Sequence, residues 1–252
     1  MPEKATADPA VLIHGAWQGS WAWNRFLPFL AEARIPAITV DLPGNGSDAA
    51  PAEAVDIGLY VDHIGRILDG ISGQVSIVGH SGGGVIATAV AECYPEKVSR
   101  IAYIAGMMLP AGMSFGDLQR DLAGPDAPPS GITGHLVWSE DRLTNWAPRD
   151  KALEIFYHDC DPATAEWAVD GLTPQPVGGY TLIARPTPAR FGRIPRLYIE
   201  AVQDRSVLIA AQRRMQELVP DARTVSLDTG HVPQLSAPEK LAEALIPFLT
   251  QP

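Results

Sequence analysis

The chain has 252 residues, 46% of them apolar and 19% charged, which supports one substantial core and excludes disordered and fibrous classes. A net charge of −10, from 29 acidic against 19 basic residues with no long basic run, argues against a nucleic-acid partner. No stretch approaches the roughly 18 uninterrupted apolar residues of a membrane span, and the polar 1–9 segment leaves no room for an export signal, so no membrane is expected.

In chain order, short apolar runs alternate with longer amphipathic ones, the pattern of a parallel sheet with crossover helices. Strands are expected at 10–14, 37–41, 75–79, 101–105, 197–201 and 224–227, and helices at 21–33, 60–68, 83–93, 209–219 and 238–248. Pro238 suits the first turn of the last helix, where an N–H is not needed. Between 107 and 190 the alternation stops. Ten of the 23 prolines fall there, with Trp138, Trp146 and Trp167. That segment is too long for an ordinary connection and too apolar for a linker, and it reads as an insertion packed over the strand ends. The core is therefore expected at 1–106 and 191–252, with a cap at 107–190. Cys93 and Cys160 have no metal-binding spacing, which suggests a reduced, cytoplasmic protein; a disulfide between them is left open.

The sharpest motif is Gly79-His80-Ser81-Gly82-Gly83, between the apolar run 75–78 and the helical run 85–91. A serine on a strained turn from strand to helix needs small neighbours two residues away, and Gly79 and Gly83 supply them. A dinucleotide site is excluded, because His14-Gly15-Ala16-Trp17 and Gly44-Asn45-Gly46 both lack the G-x-G-x-x-G spacing. Of the six histidines, His231 follows the strand 224–227 and precedes the last helix, which brings it to the carboxyl ends of the strands. Asp204, just after the strand 197–201, is the best-placed acid to orient it. The backbone N–H groups of Gly82 and Ala16 are the candidate donors to a developing oxyanion.

The run Val11-Leu12-Ile13-His14-Gly15-Ala16-Trp17, the 79–83 motif, Phe156-Tyr157-His158-Asp159-Cys160 and Gln175-Pro176 together resemble one branch of the α/β-hydrolases. That branch holds the plant hydroxynitrile lyases and the methyl-ester esterases. The stretch Ile194-Pro195-Arg196-Leu197-Tyr198-Ile199-Glu200-Ala201, Gln212-Arg213-Arg214-Met215 and Val225-Ser226-Leu227 resembles bacterial pyrethroid-hydrolysing carboxylesterases. The resemblance covers nearly all of the chain after Pro9. It implies an α/β-hydrolase fold: a mostly parallel, six-stranded sheet flanked by helices, with a small, mobile helical cap over an apolar acyl pocket. It also implies Ser81, Asp204 and His231 as the catalytic triad and Ala16 and Gly82 as the oxyanion hole.

The expected activity is serine carboxylesterase, with a small-molecule ester as substrate, no metal or organic cofactor, and a monomer or homodimer. Trp17, Trp138 and Trp146 are the expected pocket walls. Two other readings stand beside it, a hydroxynitrile lyase and a non-catalytic ligand receptor on the same fold. The lyases carry a lysine directly after the triad histidine and a polar residue near the end of the first strand. This chain has Val232 and the run Val11-Leu12-Ile13 there, and both departures favour ester hydrolysis.

Overall fold

The computed structural model describes residues 7–126 and 128–251. In chain order the elements are β1 (Ala10–Ile13), α1 (Leu27–Glu32), β2 (Ala37–Thr39), α2 (Ile57–Asp69), β3 (Val75–His80), α3 (Gly83–Cys93), β4 (Val98–Ile104) and α4 (Phe115–Ala123). They continue with β5 (Val137–Trp138), β6 (Thr144–Trp146), α5 (Arg149–Ile155), α6 (Pro162–Asp170), β7 (Gln175–Pro176) and α7 (Val177–Tyr180). The chain closes with β8 (Arg196–Ala201), α8 (Ile209–Leu218), β9 (Ala222–Leu227), α9 (Pro233–Ser236) and α10 (Pro238–Leu249).

The main sheet has six strands in the order β2-β1-β3-β4-β8-β9, and every pairing in it is parallel. Its central strands are buried on both faces, so alternate side chains divide between two cores. Val11, Ile13, Ile77, Ile101, Tyr103 and Tyr198 face one side, packed with residues of α2, α3 and α8. Leu12, Val78, Ala102, Ile104, Leu197 and Ile199 face the other, against Trp23, Phe26, Leu30 and α10. The chain runs outward from β1 to β2, then returns to lay β3 on the opposite side of β1. The connections after β1 and β3 therefore leave toward opposite faces, and a crevice opens between them at the carboxyl ends of these strands.

Two expectations need correction, and one open question is answered. The helix expected at 21–33 is broken into a 3-10 turn, Ser20–Trp23, and the short α1, because Pro28 lacks an N–H and disfavours a helical residue before it. The segment 107–190 is not purely helical. Besides α4 to α7 it holds a three-stranded antiparallel sheet, β5-β6-β7, whose strands are two or three residues long. A strand that short has no period to read. The disulfide left open is not formed, and Cys93 and Cys160 are both free. Among the described residues, no helix is long and apolar enough to cross a membrane.

Candidate active site

Ser81 sits at the tip of β3 with φ of 52°, a conformation that L-residues seldom adopt. Its backbone is pinned on both sides: its N–H donates to the Ile104 carbonyl at 3.2 Å, and its own carbonyl accepts from Gly84 at 3.0 Å and Met107 at 2.9 Å. The glycines of the motif are required by close approach. A β-carbon on Gly79 would stand 2.7 Å from the Gly83 carbonyl oxygen, and one on Gly83 would stand 2.6 Å from that of His14. Gly15 is confined in the same way, since its β-carbon would meet that of Ser81 at 2.9 Å. Gly82 is different: the nearest atom to an added β-carbon is the Ala16 nitrogen, at 3.9 Å.

Ala16 and Gly82 thus lie side by side, and neither N–H has a protein acceptor among the described residues. The next residue, Trp17, also has positive φ, 64°, a strain of roughly 1–3 kcal/mol for a bulky side chain. It is held there by long-range bonds. The Trp17 N–H donates to Gln175 Oε1 at 2.9 Å, its carbonyl accepts from the Thr173 N–H at 2.8 Å, and its indole Nε1–H donates to Asn145 Oδ1 at 3.0 Å.

His231 and Asp204 form a buried pair, Nδ1 to Oδ2 at 2.7 Å, with side chains 4% and 0% exposed. The other carboxylate oxygen of Asp204 accepts from the N–H groups of Ser206 at 2.7 Å and Val207 at 3.0 Å. Because the carboxylate only accepts, the pair fixes the proton on Nδ1 and leaves Nε2 as a base. Phe156 stacks on the His231 ring at 5.3 Å and 28°. Ser81 and His231 line one small cavity of about 10 Å³ together with Gly15, Ala16 and Phe156. Val232, the position after the histidine, is fully buried in the apolar cluster of Phe156 and Leu235.

Three of the remaining histidines, His80, His14 and His158, are engaged in hydrogen bonds. His80 is buried; its Nε2–H donates to the His231 carbonyl at 2.8 Å, and its Nδ1 lies 3.1 Å from Gln18 Oε1. Burial, and then the neighbouring His231, hold its pKa well below the usual imidazole value, so it stays neutral. His14 donates from Nδ1 to the Gly15 carbonyl at 2.8 Å and accepts the Leu42 N–H at Nε2, an arrangement open only to the neutral ring. Burial lowers its pKa to about 4. His158 and Asp159 reach from the insertion to the loops carrying the buried pair. His158 Nε2 meets the Gln203 carbonyl at 3.1 Å, and Asp159 accepts the Gly230 N–H at 2.6 Å.

Beside Ser81 a pocket of about 350 Å³ opens, walled by Trp17, Val85, Met107, Phe115, Ile132, Tyr180, Leu182 and Ile183. Its polar walls are serines, threonines and Gln119, with no formally charged side chain among its described lining residues. Of the three tryptophans expected to line it, Trp17 does. Trp138 stands behind the wall, edge-on to Tyr180 at 6.0 Å. Trp146, 40% exposed, borders a separate surface cleft on the far side of Trp17. Its β6 neighbour Asn145 points inward instead, because alternate strand residues face opposite ways. Phe115, Ile132, Tyr180 and Gln175 were missed as site residues, having no motif of their own; for Gln175 the only signal was its place in the resemblance.

Comparison with known proteins agrees with this architecture. The profile described as the alpha/beta hydrolase family matches residues 10–244. A pyrethroid hydrolase of Sphingobium wenxiniae is 30% identical over 98% of this chain and 89% of its own length. Methylesterase 17 of Arabidopsis thaliana is 24% identical over 94% of this chain and 89% of its own. The crystal structure of a pyrethroid hydrolase from Sphingobium faniae superposes with a TM-score of 0.81 at 26% identity, covering 97% of this chain and 98% of that one. With the fold, the profile and these relatives in agreement, this chain belongs to the alpha/beta hydrolase family.

Proposed function

We propose that the protein is a serine carboxylesterase for uncharged, hydrophobic esters, with Ser81, His231 and Asp204 as its triad. Ser81 Oγ attacks the ester carbonyl carbon while its proton passes to His231 Nε2. The tetrahedral oxyanion accepts hydrogen bonds from the Ala16 and Gly82 N–H groups, each donor of this kind being worth about 3–4 kcal/mol in the transition state. Collapse breaks the C–O bond to the alcohol, which leaves with the proton from His231, and the acyl group stays on Ser81. Water, deprotonated by His231, then attacks the acyl carbon, and Ser81 leaves reprotonated. Asp204 holds the Nδ1–H throughout and offsets the charge of the imidazolium.

The observation that carries this reading is the positive-φ Ser81 sharing one cavity with the His231–Asp204 pair. The uncharged pocket supports neutral substrates, since a carboxylate or ammonium desolvated there would find no counter-charge. The pyrethroid hydrolase and methylesterase relatives support ester hydrolysis, and Val232 in the lyases' lysine position speaks against cyanohydrin cleavage. We read residues 107–190 as the cap that supplies the pocket's outer wall. The free Cys93 and Cys160 support a reduced, cytoplasmic setting, and we read the enzyme as a monomer or homodimer.

The test is covalent labelling. A p-nitrophenyl alkylphosphonate should release one p-nitrophenolate per protein and leave one phosphonyl group on Ser81, read by peptide mass spectrometry. Ser81→Ala should neither label nor turn over p-nitrophenyl esters. Labelling at another residue, or sustained turnover by Ser81→Ala, contradicts the proposal. Cyanide release from mandelonitrile at rates matching ester hydrolysis would favour the lyase reading instead.

A further inference from the structure

The strained Trp17 peptide leads into a closed polar ring that joins the insertion to the core. Gln175 Oε1 accepts from the Trp17 N–H at 2.9 Å and from Asn45 Nδ2 at 3.1 Å. Gln175 Nε2 donates to the Tyr60 hydroxyl at 3.2 Å, and that hydroxyl donates to Asn45 Oδ1 at 3.3 Å. All three side chains are buried, Gln175 at 2%, Asn45 at 1% and Tyr60 at 1% exposed. One of the four contacts fixes the direction of the rest. A peptide N–H can only donate, so Gln175 must turn its oxygen to Trp17 and its amide NH2 to Tyr60. The Tyr60 proton then goes to Asn45 Oδ1, and the Asn45 NH2 returns to Gln175 Oε1. The ring has no slack: a β-carbon on Gly179 would lie 2.5 Å from Gln175 Nε2 and 2.0 Å from the Tyr60 hydroxyl.

The residue gripped by this ring directly follows Ala16. A peptide held at φ of 64° relaxes when its anchor is removed, and its rotation carries the preceding Ala16 peptide with it. We propose that Gln175 is a positioning residue for the oxyanion hole: by holding the Trp17 N–H it aims the Ala16 N–H at the developing oxyanion. The inference rests on the esterase reading above and extends it to a side chain that touches no substrate. Asn45 and Tyr60, from the core, aim Gln175, and Gln175, from β7, aims the loop after β1. Seating of the insertion on the core and completion of the oxyanion hole are thereby one event.

The experiment compares Gln175→Leu, Gln175→Asn, Gln175→Glu and Tyr60→Phe in the full chain. Each is assayed for kcat and KM on a p-nitrophenyl ester, for Tm, and for inhibition by an alkyl trifluoromethyl ketone, whose adduct with Ser81 carries an oxyanion. Leu removes the acceptor and Asn withdraws it by one methylene; both should lower kcat about 10- to 100-fold, less than the full loss of a donor, with KM within about threefold. Ketone affinity should fall by the same factor as kcat. Gln175→Glu keeps an acceptor that Trp17, Asn45 and Tyr60 can all donate to, and should recover most of the loss. Tyr60→Phe removes one of the two core side chains that aim Gln175 while Asn45 keeps the other, so it should lower kcat by less than about fivefold, well short of the loss in Gln175→Leu, together with a loss of Tm.

Unchanged kcat and ketone affinity in Gln175→Leu or Gln175→Asn would overturn the inference. So would equal kcat losses in Gln175→Leu and Tyr60→Phe at equal Tm. The esterase reading fails separately, if the ketone forms no adduct with the wild-type protein and Ser81→Ala still turns over.

Discussion

Ser81 and Trp17 both sit at positive φ on opposite walls of one crevice, 52° and 64°, yet they are held by different means. The Ser81 turn is locked by main chain, through three backbone hydrogen bonds and glycines whose hydrogens touch neighbouring carbonyls. The Trp17 turn is held partly by amide side chains, Asn145 and Gln175, that arrive from the insertion more than 120 residues later. The first arrangement is part of the sheet and forms with the core. The second is complete only when the insertion is docked. The Ser81 turn is therefore the rigid half of this site, and the Trp17 loop is the half that the rest of the molecule can adjust.

The largest expected effect breaks the rigid half. Gly83→Ala drives a methyl into the backbone carbonyls of His14 at 2.6 Å and Ile13 at 2.7 Å, neither of which can rotate away. It should cost about 3 kcal/mol or more of stability and abolish esterase activity, by chemical denaturation and kinetic assay. Gly82→Ala, one residue earlier, meets nothing closer than 3.9 Å and keeps its N–H, so its Tm should match the wild type. Equal destabilisation of the two variants would show that close packing does not hold the elbow.

Acid should loosen the strand ends beneath both halves. The folded His14 titrates at about 4 against the usual 6.5, because burial disfavours its cation. An unfolded chain therefore takes up this proton first as pH falls, so the stabilisation is complete above about 6.5 and is lost on the way down to about 4. The loss is about 3 kcal/mol. His80 shifts in the same direction and adds to it. Asp41 is a separate case. Burial alone would raise its pKa, but hydrogen bonds from Ser20 and Ser47 win and lower it to about 2, so its contribution fades only below about pH 4. Urea titrations between pH 7.5 and 4.5 should show the steep decline, and His14→Gln should flatten it. A wild-type stability independent of pH across that range would contradict the neutral His14.

The smallest effects concern selectivity. Ile132→Ala enlarges the pocket wall and should shift kcat/KM toward esters with bulkier groups by about 3- to 10-fold. Trp146→Ala, outside the pocket, should leave the ratio between large and small esters unchanged. A shift with Trp146→Ala comparable to that with Ile132→Ala would mean that the surface cleft, too, receives substrate.

The same division explains what could be read from the sequence. All six strands of the main sheet were legible to within three residues at either end, the central four because burial on both faces leaves apolar runs, and the more exposed edge strands β2 and β9 from their place in the alternation with helices. Ser81 was legible because its support is local: Gly79 and Gly83 lie two residues away. His231 and Asp204 followed from chain order and from their places after β9 and β8. The support of Trp17 was not legible, since Asn45, Asn145 and Gln175 are ordinary amides brought together only by the fold. Nor were the two- and three-residue strands of the insertion, and Trp146 shows the consequence. Composition marks a tryptophan as apolar, whereas the face it takes depends on a register that no periodicity announced.

The central claim, that Ser81 and His231 act as one catalytic unit, is tested most directly by a double-mutant cycle on kcat. Members of a unit cannot lose the same function twice. Ser81→Ala and His231→Ala should each lower kcat by about 10⁴-fold or more, with folded proteins by circular dichroism, and the double variant should be little worse than either single one. Losses that multiply in the double variant, or a single variant retaining near-normal turnover, would contradict the account.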